Sequence, residues 1–147
     1  MTKNNAVIPD KIDIVDFTIQ NATLKSEFGL NDSTVDSHTL NVGYDTQFNL
    51  KDKLIKAVIK IDVVAKKDGE EVGQGNFEMI FIYHVENLDS LAKEEDNKLI
   101  VNGGLSSSLA SITYSTSRGI LMTRFQGTVL RNFILPVINP NDLLKKS

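Results

Sequence analysis

Leu54-Ile55-Lys56-Ala57-Val58-Ile59-Lys60-Ile61-Asp62-Val63-Val64-Ala65-Lys66-Lys67-Asp68-Gly69 is the stretch whose reading decides the fold. Ile55, Ala57, Ile59, Ile61, Val63 and Ala65 recur at every second position, so they share one face of an extended strand. Leu54, Lys56, Val58, Lys60, Asp62 and Val64 take the other face. The strand ends at Lys67-Asp68-Gly69, where Asp-Gly supplies the positive φ that a tight hairpin requires. A second alternating run follows, with Phe77, Met79, Phe81, Tyr83 and Val85 opposite Glu78, Ile80, Ile82 and His84. Two long strands joined by a short turn must be antiparallel, because a parallel pair needs a long crossover.

Working outward, Leu40, Val42, Tyr44, Phe48 and Leu50 alternate with Asn41, Asp45, Gln47 and Asn49, predicting a half-buried strand before the hairpin. The strand before that is less regular. Ile12 and Ile14 share a phase, Val15, Phe17 and Ile19 shift it by one, and Ala22 and Leu24 shift it back. Each slip predicts a bulge, since a one-residue shift exchanges the faces of a strand. Downstream, Asp89 to Asn97 is acidic and reads as a loop. Asn102-Gly103-Gly104 reads as a joint before a helix from about Leu105 to Phe125, with Ser106 or Ser107 as its cap. Leu105, Leu109, Ile112, Ile120 and Phe125 mark its apolar stripe, but Ser, Thr, Ala and Gly fill the rest. Its propensity is poor, so packing must hold it. After Gly127 the chain reads as extended up to Pro136, and Asn139-Pro140-Asn141-Asp142 can open one last helical turn. The predicted class is α+β: a four-stranded antiparallel sheet, then one long C-terminal helix and an extended tail.

Residues 1–147 read as a single domain, with 1–10 and 142–147 expected to be disordered. With 41% hydrophobic and 24% charged residues the composition is that of a globular protein. A net charge of -3, with Lys and Arg scattered, argues against nucleic-acid binding. The absence of cysteine excludes disulfides and thiolate metal sites. No run approaches the roughly 20 apolar residues of a membrane span, and the start lacks a secretory signal. Taken as native ends, the termini predict a cytoplasmic protein.

Site chemistry is sparse. His84 reads as structural at a strand end and His38 as solvated in a polar turn, and neither has metal-ligand spacing. The carboxylates of Asp68-Gly69-Glu70-Glu71 and Glu94-Glu95-Asp96 belong to solvated loops. Gly73-Gln74-Gly75 precedes a strand, whereas a dinucleotide fingerprint needs strand, glycine turn and helix in that order. Asn102-Gly103-Gly104 lacks the lysine of a phosphate-binding loop. We therefore expect no catalytic residue, no metal, no cofactor and no enzyme activity. One helix covers one face of two or three strands, yet the run from Phe77 to Val85 is apolar on both sides. That surplus predicts an oligomer, with a bound ligand as the alternative.

The order of elements resembles the bacterial export chaperone SecB. Gln126-Gly127-Thr128 stands where that family has Arg-Gly-Thr, and Leu135-Pro136-Val137 stands where it has Ala-Pro-Val, at the same spacing. Gly69-Glu70-Glu71 matches the turn between its third and fourth strands, and Phe77-Glu78-Met79 matches an apolar-Glu-apolar triplet in the fourth. The resemblance implies a dimer of dimers with helices sandwiched between sheets, and ATP-independent binding of unfolded polypeptides in apolar grooves. Candidate groove residues are Phe77, Tyr83, Leu88, Leu91 and Leu99, and candidate subunit contacts are Ala110, Tyr114 and Ser117. The family meets the translocase motor through acidic residues on its sheet. Here only Glu78 agrees, with Asn21 and Lys25 at the other two positions, and the acidic tail is absent. The implied function is client holding, in export or for another client set. The alternative is a non-enzymatic module that holds a lipid-like molecule on its apolar sheet face.

Overall fold

A computed structural model describes residues 6–27 and 35–145. After a 3₁₀ turn at Pro9–Lys11 come four long strands: β1 (Ile12–Ser26), β2 (Ser37–Asn49), β3 (Leu54–Lys67) and β4 (Glu70–Val85). A short helix α1 (Leu88–Leu91) and a small hairpin of β5 (Ala92–Glu95) and β6 (Lys98–Val101) lead into the long helix α2 (Gly103–Arg124). A one-turn helix α3 (Pro140–Leu144) closes the chain. The large sheet is antiparallel in the order β1-β4-β3-β2. β2, β3 and β4 form an antiparallel meander, and β1 lies beside β4 at the edge opposite β2.

The alternation read from the sequence sets the layers. Ile55, Ala57, Ile59, Ile61, Val63 and Ala65 are fully buried on the inner face, in register with Phe77, Met79, Phe81 and Tyr83 of β4. Both phase slips in β1 are real: its register with β4 shifts between Ile14 and Asp16 and again between Ile19 and Asn21. The β3–β4 turn has Asp68 at φ 52° and Gly69 at φ 80°, the left-handed pair of a tight hairpin.

Several expectations need correction. The acidic segment Asp89 to Asn97 is not a loop, because the last turn of α1 and the β5–β6 hairpin occupy it, with Asp96 and Asn97 at φ 53° and 63°. Asp and Asn tolerate that conformation, so a charged stretch can still make a tight turn. The helix cap is Asn102, whose side chain accepts from the Leu105 amide at 3.1 Å, rather than Ser106 or Ser107. After Gly127 the chain turns instead of extending. Thr128 donates to the Phe125 carbonyl at 2.8 Å and accepts from the Leu130 amide at 3.0 Å, which folds Val129 and Leu130 into the core. Residues 142–144 belong to α3 with Leu143 buried, and Val7 packs on the core, so neither expected disordered end is wholly so. Residues 1–5 and 146–147 lie outside the described residues.

Gly73 and Gly75 let this C-terminal segment reach the sheet. A Cβ on Gly73 would stand 2.3 Å from the Val129 side chain, and one on Gly75 would stand 3.1 Å from Phe125 and 3.2 Å from Leu130. The Gly-Gln-Gly motif is a packing device between β4 and the end of α2. His38 is exposed, as expected, although its ring lies 5.1 Å from that of Phe133 and partial burial lowers its pKa.

Helix α2 presents Leu105, Leu109, Ala110, Thr113, Tyr114, Ser117 and Leu121 to the interior. Under it the Tyr83 and Thr113 hydroxyls share a buried hydrogen bond of 2.7 Å. The Tyr44 hydroxyl is buried near the same Thr113 but has no hydrogen-bond partner of ordinary geometry among the described residues, and burial, reinforced by Tyr83, pushes its pKa well up. The two tyrosines should therefore respond differently to loss of the hydroxyl. Tyr83→Phe strands Thr113 and is expected to cost about 1–2 kcal/mol, whereas Tyr44→Phe removes an unpaired polar atom and should be neutral or stabilising. Urea unfolding of the two variants checks this, and an equal loss in both would contradict it.

Candidate binding surface

A helix about 10 Å across covers about two strands spaced ~4.8 Å apart. Helix α2 packs on β3 and α3 on β2, which leaves the inner face of the edge strand β1 beyond the helix. That face is apolar. Ile14 is 47% exposed, Phe17 39% and Leu24 37%, with Ile19 half-buried between them. From Ile14 to Leu24 this ledge is about 30 Å long at ~3.3 Å per residue. The Phe17 ring lies 4.9 Å from that of Phe81, so the ledge is continuous with the core. Val15, at the first bulge, adds a side chain 54% exposed.

At the N-terminal end of β1 the ledge opens into a groove of about 520 Å³. Val7, Pro9, Ile12 and Ile14 form one wall, Ser107, Ser108 and Ser111 of α2 line the other, and Pro140 closes it. Small side chains on the helix wall let an extended backbone approach closely. The free edge of β1 adds unpaired amides and carbonyls alongside, the arrangement that accepts an added strand. An extended apolar segment fits these features, with side chains on the ledge and main chain along the edge.

Most of the residues expected from sequence fall elsewhere, with Tyr83 the exception at the groove. Phe77 is 4% exposed, Tyr83 and Leu88 are fully buried, and Leu91 is 4% exposed, all in the core under α2. Tyr83 nevertheless contributes to the lining of the groove, whereas Phe77, Leu88 and Leu91 are closed off in the core. Only Leu99, on β6, is open at 42%. Ala110, Tyr114 and Ser117 face inward, with the Tyr114 hydroxyl bonded to the Pro136 carbonyl, so a lysine at Ala110 would break the core before it tested any interface. The outward side of α2 is instead Ser108, Ser111, Ser115, Gly119 and Met122. On the outer sheet face Val58, Val64, Ile80 and Ile82 are half-buried, so the apolar surface expected there is present but only partly open. The signal that could have found the ledge was already in the sequence. β1 is the one strand with two phase slips, the mark of a bulged edge.

Glu78 lies on the outer face opposite Asn21, whose amide donates to its carboxylate at 3.2 Å, and opposite Lys60 on the other side. Lys25 pairs with Gln74 further along β1. The three positions matched to motor contacts thus share one sheet region, but only one is acidic. Among the described residues no three His, Asp or Glu side chains gather to hold a metal, and no helix is long and apolar enough to cross a membrane.

No family model matches the sequence, and no curated protein matches it. Solved structures do. The SecB-like chaperone Rv1957 of Mycobacterium tuberculosis, solved with a ChAD peptide from the antitoxin HigA1, superposes with a TM-score of 0.62. That match covers 88% of this chain and 91% of the other at 10% identity. The fold is SecB-like. At such identity the likeness establishes the fold alone, a divergent form of a chaperone-type architecture. A protein of unknown function from Streptococcus agalactiae also matches, at a TM-score of 0.47 and 10% identity over 86% of this chain and 97% of that one.

Proposed function

We propose that this protein is a SecB-like chaperone that holds unfolded polypeptide segments on the β1 ledge without ATP. The observation that carries the reading is an exposed apolar strip about 30 Å long on a bulged edge strand, in a fold whose structural neighbour was solved with a peptide. Burying apolar surface contributes roughly 25 cal/mol per Å² whatever the order of side chains, so such a strip binds many sequences. On this reading the protein acts as a homo-oligomer in the cytoplasm. The test is suppression of aggregation of a denatured client, with light scattering as the readout, alongside peptides of increasing length. Affinity that rises with peptide length supports client holding.

The groove of about 520 Å³ at the end of the ledge favours a second reading, a site for one lipid-like molecule. Saturation by one fatty acid per chain, with no effect on client aggregation, would select it.

Docking on the translocase motor is expected to be weak. Asn21 removes one acidic contact, Lys25 reverses another, and Glu78 is already engaged by Asn21. Reversing a rim charge adds repulsion against a basic partner and slows association. A titration of the motor with wild type and Lys25→Glu should show little binding by the first and a gain by the second. Tight wild-type binding unchanged by Lys25→Glu would overturn this.

A further inference from the structure

The groove at the end of the ledge continues past Ser111 and Pro140. A second cavity of about 170 Å³ is lined by the same two residues, so the two spaces form one trough along α2. Tyr114, Ser115 and Arg118 of the helix line its far part, with Val137 and Ile138 as the facing wall. From Ser107 to Arg118 the trough runs about 16 Å at 1.5 Å per residue, a distance spanned by about five extended residues. Arg118 is half-buried and has no ion pair or hydrogen bond among the described residues. Its guanidinium lies close to the Tyr114 hydroxyl, since burial raises the pKa of that hydroxyl and the Arg118 charge works against the rise. Among the described residues no carboxylate lines either cavity. A partly desolvated cation without a counter-charge is disfavoured, and a carboxylate placed against it offsets that penalty with charge-assisted hydrogen bonds. We propose that Arg118 binds a carboxylate side chain of the client, so that preferred clients are apolar segments with an Asp or Glu about five extended residues beyond the part seated at Ser107. This rests on the client-holding reading and names the chemistry of the client.

Two features favour a polypeptide in the trough over a fatty acid. The trough is open, with Val137 86% and Ile14 47% exposed, so one side of any occupant stays in water. A hydrocarbon tail gains little there, whereas an extended chain can turn its polar main chain outward. Ser107, Ser108, Ser111 and Ser115 also set a row of hydroxyls along the helix side, which suits amides rather than methylenes. Charge then sets the direction of the chain. Asp10 and Asp13 are exposed beside Pro9 and Ile12 at the other end, so a carboxylate is repelled there and drawn to Arg118. The whole chain carries a net charge of -3, so a preference for an acidic client has to come from a local cation.

The test uses end-blocked, unstructured peptides that share one apolar run and differ at a single position about five residues beyond it, as Glu, Gln or Lys. Fluorescence anisotropy with the full chain is expected to show about tenfold tighter binding of the Glu peptide than of the Gln peptide, a preference that weakens with added salt. Arg118→Gln should bind the two alike, and Arg118→Glu should prefer the Lys peptide. Arg118→Lys keeps the charge without the planar fork and should keep part of the preference. Arg124→Gln removes the same charge from an exposed site further along α2 and should leave the preference as in wild type. Equal binding of the Glu and Gln peptides by wild type would overturn the carboxylate site and leave client holding standing. So would an equal loss of preference in Arg124→Gln and Arg118→Gln, because the effect would then be one of overall charge. If none of the peptides binds, client holding fails together with the site. Binding of a fatty acid that depends on Arg118, with no charge preference among the peptides, would overturn the polypeptide occupant and give the trough to a lipid.

Discussion

Gly73→Val is expected to be the most destabilising single substitution on the sheet. Even alanine would place its Cβ 2.3 Å from the Val129 side chain, with the Lys25 carbonyl 3.4 Å away on the other side. Relief requires moving Val129, which is fully packed and is tied through its amide to the Ser26 hydroxyl at 3.1 Å. Overpacking of this kind costs about 1–3 kcal/mol for small additions and more for a branched side chain. We expect Gly73→Ala to lower stability by about 2 kcal/mol and Gly73→Val to prevent cooperative folding or nearly so. A double variant, Gly73→Ala with Val129→Ala, removes the colliding methyl and should recover part of the loss. Denaturant unfolding reads this directly. Full stability in Gly73→Ala would mean that the segment 125–132 does not pack on β4 as described.

The second large effect is on binding. Ile14→Asp combined with Phe17→Asp changes two residues that are 47% and 39% exposed, so the fully buried core stays intact while the contact of Phe17 with Phe81 is lost. The ledge, however, acquires two charges along its length. A client would have to leave apolar side chains in water or bury those carboxylates against them, and unpaired buried charge is strongly disfavoured. Client affinity is expected to fall by at least about a hundredfold, with the unfolding midpoint lowered by the lost Phe17–Phe81 contact but cooperative folding retained. Leu54→Asp on the outer sheet face serves as a matched control and should leave client affinity as it was.

The fold was legible in the sequence wherever one physical rule dominated. Alternation over Ile55 to Ala65 and Phe77 to Val85 fixed the hairpin and its inner face, since a one-residue slip would have turned every isoleucine outward. The phase slips in β1 located both bulges. The helix was found to within two residues at each end despite its serines, because Leu105, Leu109 and Leu121 still lie on its buried side. The hairpin of β5 and β6 was missed, since Lys93-Glu94-Glu95 carries no apolar alternation and its strands are only four residues long.

The candidate surface was less legible for a different reason. Periodicity names the residues that share a face, but it does not say which part of that face the helix will cover. Phe77 and Tyr83 are as apolar as Ile14 and Phe17, and only the position of β4 at the centre of the sheet and β1 at its edge separates core from surface. Edge position in an order of β1-β4-β3-β2 is a long-range property that no local pattern carries. For the same reason, Ala110 and Ser117 looked like helix contacts for a second subunit. Their small size serves close packing on the sheet within one chain.

The central claim is that unfolded chains lie extended along β1. Its most direct test is hydrogen–deuterium exchange of the protein with and without a saturating unfolded peptide. The account predicts slowed exchange at amides of Val15 to Leu24 and over the first turns of α2, with the outer edge of β2 unchanged. Protection confined to β2 or to the outer sheet face, with none on β1, would contradict it.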